Sequence, residues 1–297
     1  MNVTEKKRRI VVLGATGMLG RALVKRLRND AAAASGDIAA FSSADLDITR
    51  RGELFERLHR EEPSIVINAA GYTDVDGCEA NIDRAMEVNG DGPGHVADGC
   101  RECGATVIHL STDYVFDGTS NRPYREDDAA HPLSAYGRSK WKGEEAVRAS
   151  GCAHLIVRTS WLFGVGGRNF VEAVVTRAES GQLLRVVDDQ IGRPTLATDL
   201  AEAIVRLIRS GARGTIHCAN EGSCTWFAFA REIVHRAGFA VAVEPIISAE
   251  LNRPAPRPAY SVLDTRKYTA LTGHTLPPWK EALSRYLSMR AAAVSPA

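Results

Sequence analysis

Cysteine is scarce in this chain, six thiols in 297 residues. Spacing of that kind supplies no disulfide framework, and the thiols are expected to stay reduced in a cytoplasmic protein. Charge of one sign is missing as well. Thirty-seven basic side chains face 36 acidic ones, a formal net charge of +1, which leaves no electrostatic footprint for nucleic acid or for an anionic membrane. Long hydrophobic runs are absent. The charged start from Thr4 to Arg9 is followed only by Ile10-Val11-Val12-Leu13 and then glycine, too short for a signal core or a membrane span. There is no internal repeat, and the biased tracts Ala31 to Ala34 and Ala291 to Ala297 read as a loop edge and a frayed end. Cys100 and Cys103 form a C-x-x-C, but no second pair or His pair stands at zinc-like spacing, so a structural role is expected and no metal site.

What is present is a chain 44% hydrophobic and long enough for one large α/β domain with a smaller lobe. Apolar runs of strand length recur at Ile10 to Leu13, Asp37 to Phe41, Ile65 to Asn68, Thr106 to Leu110 and Leu155 to Arg158. Helical patterns fall between and around them at Leu19 to Arg28, Arg51 to Arg60, Ala80 to Val88, Gly94 to Cys103 and Tyr136 to Ala149. Such alternation predicts a doubly wound parallel sheet with helices on both faces. Thr49 is the expected N-cap of the second helix, with Glu53 in its first turn suiting the dipole. After Ser160 the pattern loosens, with Gly164, Gly166 and Gly167, a helix near Phe170 to Ser180 and a Pro-rich stretch from Arg253 to Pro258. The expected division is a nucleotide-binding domain over 1–160, with return segments at about 196–220, and a mainly substrate-binding lobe over 161–297. Within the return, Leu200 to Arg209 reads as an amphipathic helix and Gly214 to Ala219 as a strand.

The turn Gly14-Ala15-Thr16-Gly17-Met18-Leu19-Gly20 follows the first strand and opens a helix. That context turns a glycine pattern into a dinucleotide fingerprint of the Rossmann type: glycines let the backbone approach a pyrophosphate, and helix N-terminal amides meet its charge. Asp47 and Ile48 are expected to border the adenine, and Asn68-Ala69-Ala70-Gly71 to form the next cofactor-facing turn, its small side chains leaving room. The ribose acid expected about 20 residues on is absent, since Phe41-Ser42-Ser43 stands there. Nothing there repels a 2′-phosphate, so the reading leans to NADPH over NADH, although Asp45 or Asp47 is within reach of the adenosine.

Tyr136 and Lys140 stand four residues apart on an expected helix, which places them on one face. A tyrosine ordinarily titrates near roughly pH 10, and an adjacent ammonium is expected to lower that value and make Tyr136 the proton donor of a hydride-transfer reaction. Thr112, closing the fourth strand, adds a second hydroxyl; two donors aimed at a carbonyl oxygen stabilise the alkoxide that hydride addition creates.

Several strings together carry a family resemblance. They are the Gly14 to Gly20 turn, Asn68-Ala69-Ala70 with Tyr72-Thr73, Ser111-Thr112-Asp113-Tyr114-Val115-Phe116-Asp117-Gly118, Tyr136 with Lys140, Arg158-Thr159-Ser160-Trp161, Asp189-Gln190 with Gly192-Arg193-Pro194-Thr195, and Arg257-Pro258 with Ser261 and Leu263-Asp264. The chain resembles an extended short-chain dehydrogenase/reductase, of the dTDP-4-dehydrorhamnose reductase family, nearly end to end. The resemblance implies a nucleotide-sugar ketoreductase of dTDP-rhamnose biosynthesis that supplies cell-surface polysaccharide. It implies that Thr112 hydrogen-bonds the substrate carbonyl, that Tyr136 protonates it and that Lys140 holds the nicotinamide ribose. It adds Tyr72 and Thr73 to the cofactor contacts, and Asp113 and Trp161 to the sugar-nucleotide contacts. Arg193 and Arg257 are candidates for the substrate pyrophosphate because guanidinium matches phosphate geometry; a surface salt bridge is an equally good reading of each.

Departures from the family pattern carry expectations too. Tyr114 follows Asp113 where related dehydratases carry a glutamate, which disfavours dehydration. Arg21-Ala22 follows the third glycine where some members place an acidic ligand of a dimer-bridging magnesium, and Ser134-Ala135 precedes the tyrosine in place of Asn-Val. Two other functions stay open: a reductase or epimerase of a different nucleotide-linked keto sugar, and a non-catalytic dinucleotide-binding subunit similar to the regulatory subunit of methionine adenosyltransferase. Oligomeric state is also open.

Overall fold

A computed structural model describes residues 9–29 and 37–294. The chain begins β1 (Ile10–Leu13), α1 (Met18–Arg28), β2 (Ile38–Phe41), α2 (Arg51–Glu61) and β3 (Ile65–Asn68). Two short helices, α3 (Val75–Ala80) and α4 (Ile82–Ala85), run into a π-helical turn at Met86–Asp91. Then come α5 (Gly92–Cys103), β4 (Thr106–Thr112), a 3-10 turn at Asp113–Val115, α6 (Ala135–Ala149) and β5 (His154–Thr159). The second half holds β6 (Leu162–Phe163), α7 (Phe170–Glu179), β7 (Leu184–Val187), β8 (Ile191–Gly192), β9 (Thr195–Leu196), α8 (Ala197–Arg209) and β10 (Gly214–His217). It closes with β11 (Cys224–Thr225), α9 (Trp226–Arg236), β12 (Val243–Ile246), α10 (Ser248–Leu251), α11 (Arg266–Thr272) and α12 (Trp279–Val294).

Among the described residues the main sheet has the order β2-β1-β3-β4-β5-β10, every pairing parallel. The fold is therefore the doubly wound, Rossmann-type sheet that the alternation predicts. Because all strands point one way, their C-terminal ends share one edge, and the order reverses beside β1, where such sheets open a ligand crevice. Burial explains the near-continuous apolar strands. One face packs Leu19, Leu23 and Leu27 of α1 against Leu200, Ile204 and Leu207 of α8; the other packs Leu54 and Leu58 of α2, Val96 of α5 and Val147 of α6. Each such side chain contributes about 1.5–3 kcal/mol when fully buried. A separate core of Phe163, Val175, Phe229, Ile233, Leu283 and Tyr286 builds the lobe beside the strand ends.

Three expectations need correction. Thr49 is not the N-cap of α2; Arg50 holds that position, because the Asp47 carboxylate takes both the Thr49 amide and its hydroxyl at 2.9 Å. The helix expected over Ala80 to Val88 is broken in two, since Asp74 caps an earlier start at Gly77 N–H and Asn81 returns its side-chain amide to the Gly77 carbonyl. The C-terminal tract does not fray at Ala291, for α12 continues to Val294; the last three residues and the Ala31 to Ala34 tract lie outside the described residues, as do all but Arg9 of the charged start. The C-x-x-C sits at the end of α5, where Gly104 adopts φ 71° and stops the helix, and its thiols are free. No described helix is long and apolar enough to cross a membrane.

Candidate active site

Gly14 leaves β1 at φ 72°, and a Cβ there would lie 2.6 Å from the Ala70 amide, so the turn requires glycine. Gly20 is as constrained, its Cβ position 2.1 Å from the Gly14 carbonyl. The two contacts pull the first turn of α1 down against the end of β3. Gly17 caps α1 without any side-chain acceptor, and no acidic residue occupies that first turn. The amides at this end are thus free for an anion, which fits the pyrophosphate of a dinucleotide.

A cavity of about 1230 Å³ runs from this turn along the strand ends into the lobe. Single small-molecule pockets span about 300–1,000 Å³, so this one has room for two ligands side by side. Of the expected cofactor residues, Gly17, Met18, Leu19, Gly20, Ala69, Ala70, Gly71 and Thr73 line it. Gly14 lies beneath the wall as the hinge of the turn. Tyr72 turns its backbone to Asn89. Asp47 and Ile48 stand away from the cavity, Asp47 engaged by Thr49 and Ile48 buried in the core under α5.

Thr112, Tyr136 and Lys140 meet on the cavity floor. Ser134 caps α6 by accepting from Gly137 N–H at 3.1 Å. A Cβ on Gly137 would stand 2.3 Å from the Tyr114 carbonyl, so glycine there lets α6 close on the 3-10 turn and bring Tyr136 to Thr112. Tyr114 packs edge-on against Tyr136, ring centroids 5.5 Å apart. The electrostatics differ from the expectation. Burial pushes the Tyr136 phenol well above its ordinary value, the Thr112 hydroxyl opposing and Asp113, Tyr114 and Cys78 adding to the rise. Lys140 does not acidify the phenol in the free protein, because a buried ammonium must first satisfy its own donors, and its Nζ donates to the Leu110 carbonyl at 2.6 Å. Burial also lowers this amine to about 8, with Glu144 pulling the other way. Tyr136 is accordingly neutral and protonated at pH 7, the state a proton donor requires.

Asp113 is buried and takes the Thr112 hydroxyl at 3.0 Å on one oxygen, while its other oxygen has no partner among the described residues. Burial pushes its carboxyl up to about 6, hydrogen bonds from Ser261 and Thr112 opposing. Trp161 lines the cavity in a left-handed conformation, φ 46°, which costs a non-glycine residue about 1–3 kcal/mol. The Trp226 indole stacks on it at 3.5 Å and 7°, and Gly192 lies so close that its Cβ would stand 2.4 Å from the Trp161 ring. Arg257 lines the cavity and is held by Asp76 at 3.0 Å. Arg193 does not line it: its guanidinium donates to Thr265 at 3.2 Å, and burial lowers it despite Glu221 and Asp264. Geometry separates the two arginines that sequence reasoning paired.

Residues 8–291 match the family model described as RmlD substrate binding domain. The chain belongs to this family. Its relatives include a dTDP-4-dehydrorhamnose reductase from Mycobacterium tuberculosis, 42% identical over 98% of this chain and 96% of that one. Another is the spore coat polysaccharide biosynthesis protein SpsK of Bacillus subtilis, 40% identical over 96% and 99%. Among solved structures, a Bacillus anthracis dTDP-4-dehydrorhamnose reductase in complex with NADP superposes with a TM-score of 0.90 at 36% identity, covering 96% and 100%.

Within this family member, several site residues escape sequence reasoning. Trp226 carries no local signal, since its partner Trp161 lies far off in sequence. Asn89, buried in the π-helical turn, bridges Tyr72 and Ser139; in sequence it is one polar residue among Asp83, Arg84, Glu87 and Asp91, and only the π turn, a feature that often marks functional sites, sets it apart. Arg168, Arg177, Arg185 and Arg253 also line the cavity, indistinguishable in sequence from surface charge.

Proposed function

We propose that the chain reduces the 4-keto group of dTDP-4-dehydro-L-rhamnose to give dTDP-L-rhamnose, using NADPH or NADH. The carrying observation is the meeting of Thr112, Tyr136 and Lys140 on the floor of a cavity continuous with the Gly14 to Gly20 turn. The bound dinucleotide supplies the hydride. Tyr136 gives its proton to the carbonyl oxygen as negative charge develops there, and Thr112 supports that oxygen once its hydroxyl turns from Asp113. Lys140 uses one of its three donors on Leu110 and has two left for the cofactor ribose. Trp161 and Trp226 offer the sugar nucleotide an apolar wall, and Arg257 offers its pyrophosphate a guanidinium.

NADPH is the favoured cofactor. Ser42 gives its hydroxyl and amide to one oxygen of Asp45 and Thr49 does the same to one oxygen of Asp47, which ties both carboxylates to their own loop and leaves a single oxygen on each for a ribose 2′-hydroxyl. The Arg57 guanidinium stands over the Phe41 ring at the end of β2. Incubating the purified chain with dTDP-4-dehydro-L-rhamnose and each reduced cofactor should oxidise the cofactor and yield dTDP-L-rhamnose, with the higher kcat/KM for NADPH. No oxidation with either cofactor rejects the reading.

A further inference from the structure

Tyr136, Lys140 and Glu144 stand at successive four-residue steps of α6, and each meets the end of β4. Tyr136 faces the Thr112 hydroxyl, Lys140 donates to the Leu110 carbonyl at 2.6 Å, and Glu144 takes the hydroxyl of Ser111 at 2.5 Å. Glu144 is completely buried. Its carboxylate also receives Nε and Nη2 of the equally buried Arg158 of β5, at 2.9 and 2.8 Å, and Nη2 of Arg148 at 2.5 Å. Four donors on one carboxylate lock α6 to β4 and β5 together. We propose that Glu144 is a positioning residue of the reduction, tying the helix that carries Tyr136 and Lys140 to the strand that carries Thr112 and setting a negative charge beside the buried amine. The proposal rests on the reductase reading above.

The charge matters because of what else faces Lys140. His109 of β4 is held neutral by burial and by the nearby cations Lys140 and Arg148. Burial raises Tyr136 well above its ordinary value and Cys78 of α3 to about 11, so both are neutral at pH 7. Asp113, on the 3-10 turn, takes the Thr112 hydroxyl, and Glu144 is the carboxylate whose charge acts on the amine. Removing its charge also leaves Arg158 and Arg148 uncompensated, and both then oppose protonation of Lys140. Loss of the ammonium therefore moves to lower pH when Glu144 is neutralised.

The test compares wild type with E144Q, E144D and S111A by NADPH titration across pH and by kcat and KM on the keto sugar, with thermal melting as a check of folding. For E144Q the pH at which NADPH affinity is lost on the alkaline side should fall by about one unit, with E144D returning it toward wild type and the sugar KM unchanged. A folded E144Q with the wild-type limb overturns the charge role, since a residue needed only for packing lowers Tm without moving a pH profile. If E144Q does not fold, S111A decides, because it keeps every charge: kcat should fall about 5–10-fold with the limb in place, and unchanged kcat overturns the tie. NADPH binding reads independently of the sugar, so a wild type that binds NADPH and shows the limb but turns over no keto sugar counts against the proposed substrate and leaves the Glu144 test intact.

Discussion

Replacing Gly20 by alanine and Gly52 by alanine applies the same chemical change to two helices, and the structure gives the changes opposite signs. At Gly20 the new methyl would stand 2.1 Å from the Gly14 carbonyl oxygen, 2.8 Å from Ala15 Cα and 2.9 Å from Ala15 C. All three neighbours are backbone, so no side chain can rotate away, and relief requires α1 to lift off the turn. Overpacking of this kind costs about 1–3 kcal/mol. At roughly 2–4 °C per kcal/mol for a protein near this size, Tm should fall by about 2–12 °C. The same lift withdraws the helix-terminal amides from the pyrophosphate, so NADPH affinity should drop at least about tenfold, or 1.4 kcal/mol. At Gly52 nothing lies within 4 Å and the position is exposed in the first turn of α2. The methyl there only restricts the unfolded chain, worth about 0.5 kcal/mol of added stability, with NADPH binding unchanged. Thermal melts and fluorescence titration of NADPH on the three proteins read both quantities. Equal melting and equal NADPH affinity for Gly20→Ala and wild type would refute the close approach on which the cofactor site is argued.

Tyr136→Phe should lower kcat by about 10²–10⁴-fold while leaving NADPH affinity and sugar KM near wild type, as expected of a proton donated only in the transition state; steady-state kinetics with a binding titration checks the split. Asp113→Asn should stabilise the protein in a pH-dependent way. The carboxyl titrates at about 6 in the fold against an ordinary 3.8, so its contribution is fully present below pH 4, is lost as pH rises through 6, and burial of the charge is a full penalty above that. Urea denaturation should show little difference between variant and wild type at pH 4 and a gain on the order of 2 kcal/mol for the variant at pH 7.5; a gap independent of pH contradicts the assignment. Arg257→Ala should raise the sugar-nucleotide KM about tenfold or more, whereas Arg193→Ala should lower Tm and leave KM alone; kinetics and melts on the pair separate them.

The parts of this site that sequence reveals are those whose cause is local. Gly14, Gly17 and Gly20 serve one turn between a strand and the helix that follows, so their spacing already contains the reason for them. Thr112 is visible because it ends a strand, and Tyr136 with Lys140 because four residues make a helical turn. What eludes the sequence is which partner each side chain finds. The spacing puts Lys140 beside Tyr136, yet a buried ammonium must satisfy its donors, and the nearest acceptor is a carbonyl on another element. Thr49 looks like a cap, but Asp47 takes its hydroxyl and amide first. Arg193 and Arg257 are equivalent as symbols; one reaches Thr265 behind the wall and the other faces the cavity beside Asp76. Trp161 keeps a strained backbone because Trp226 covers one side and Gly192 makes room on the other, three residues that no window of helix or strand length contains. Glu144 shows where the boundary falls: its place on the helix follows from counting from Tyr136, but its function depends on Ser111 and Arg158, which only the parallel register of β4 and β5 brings to the same carboxylate.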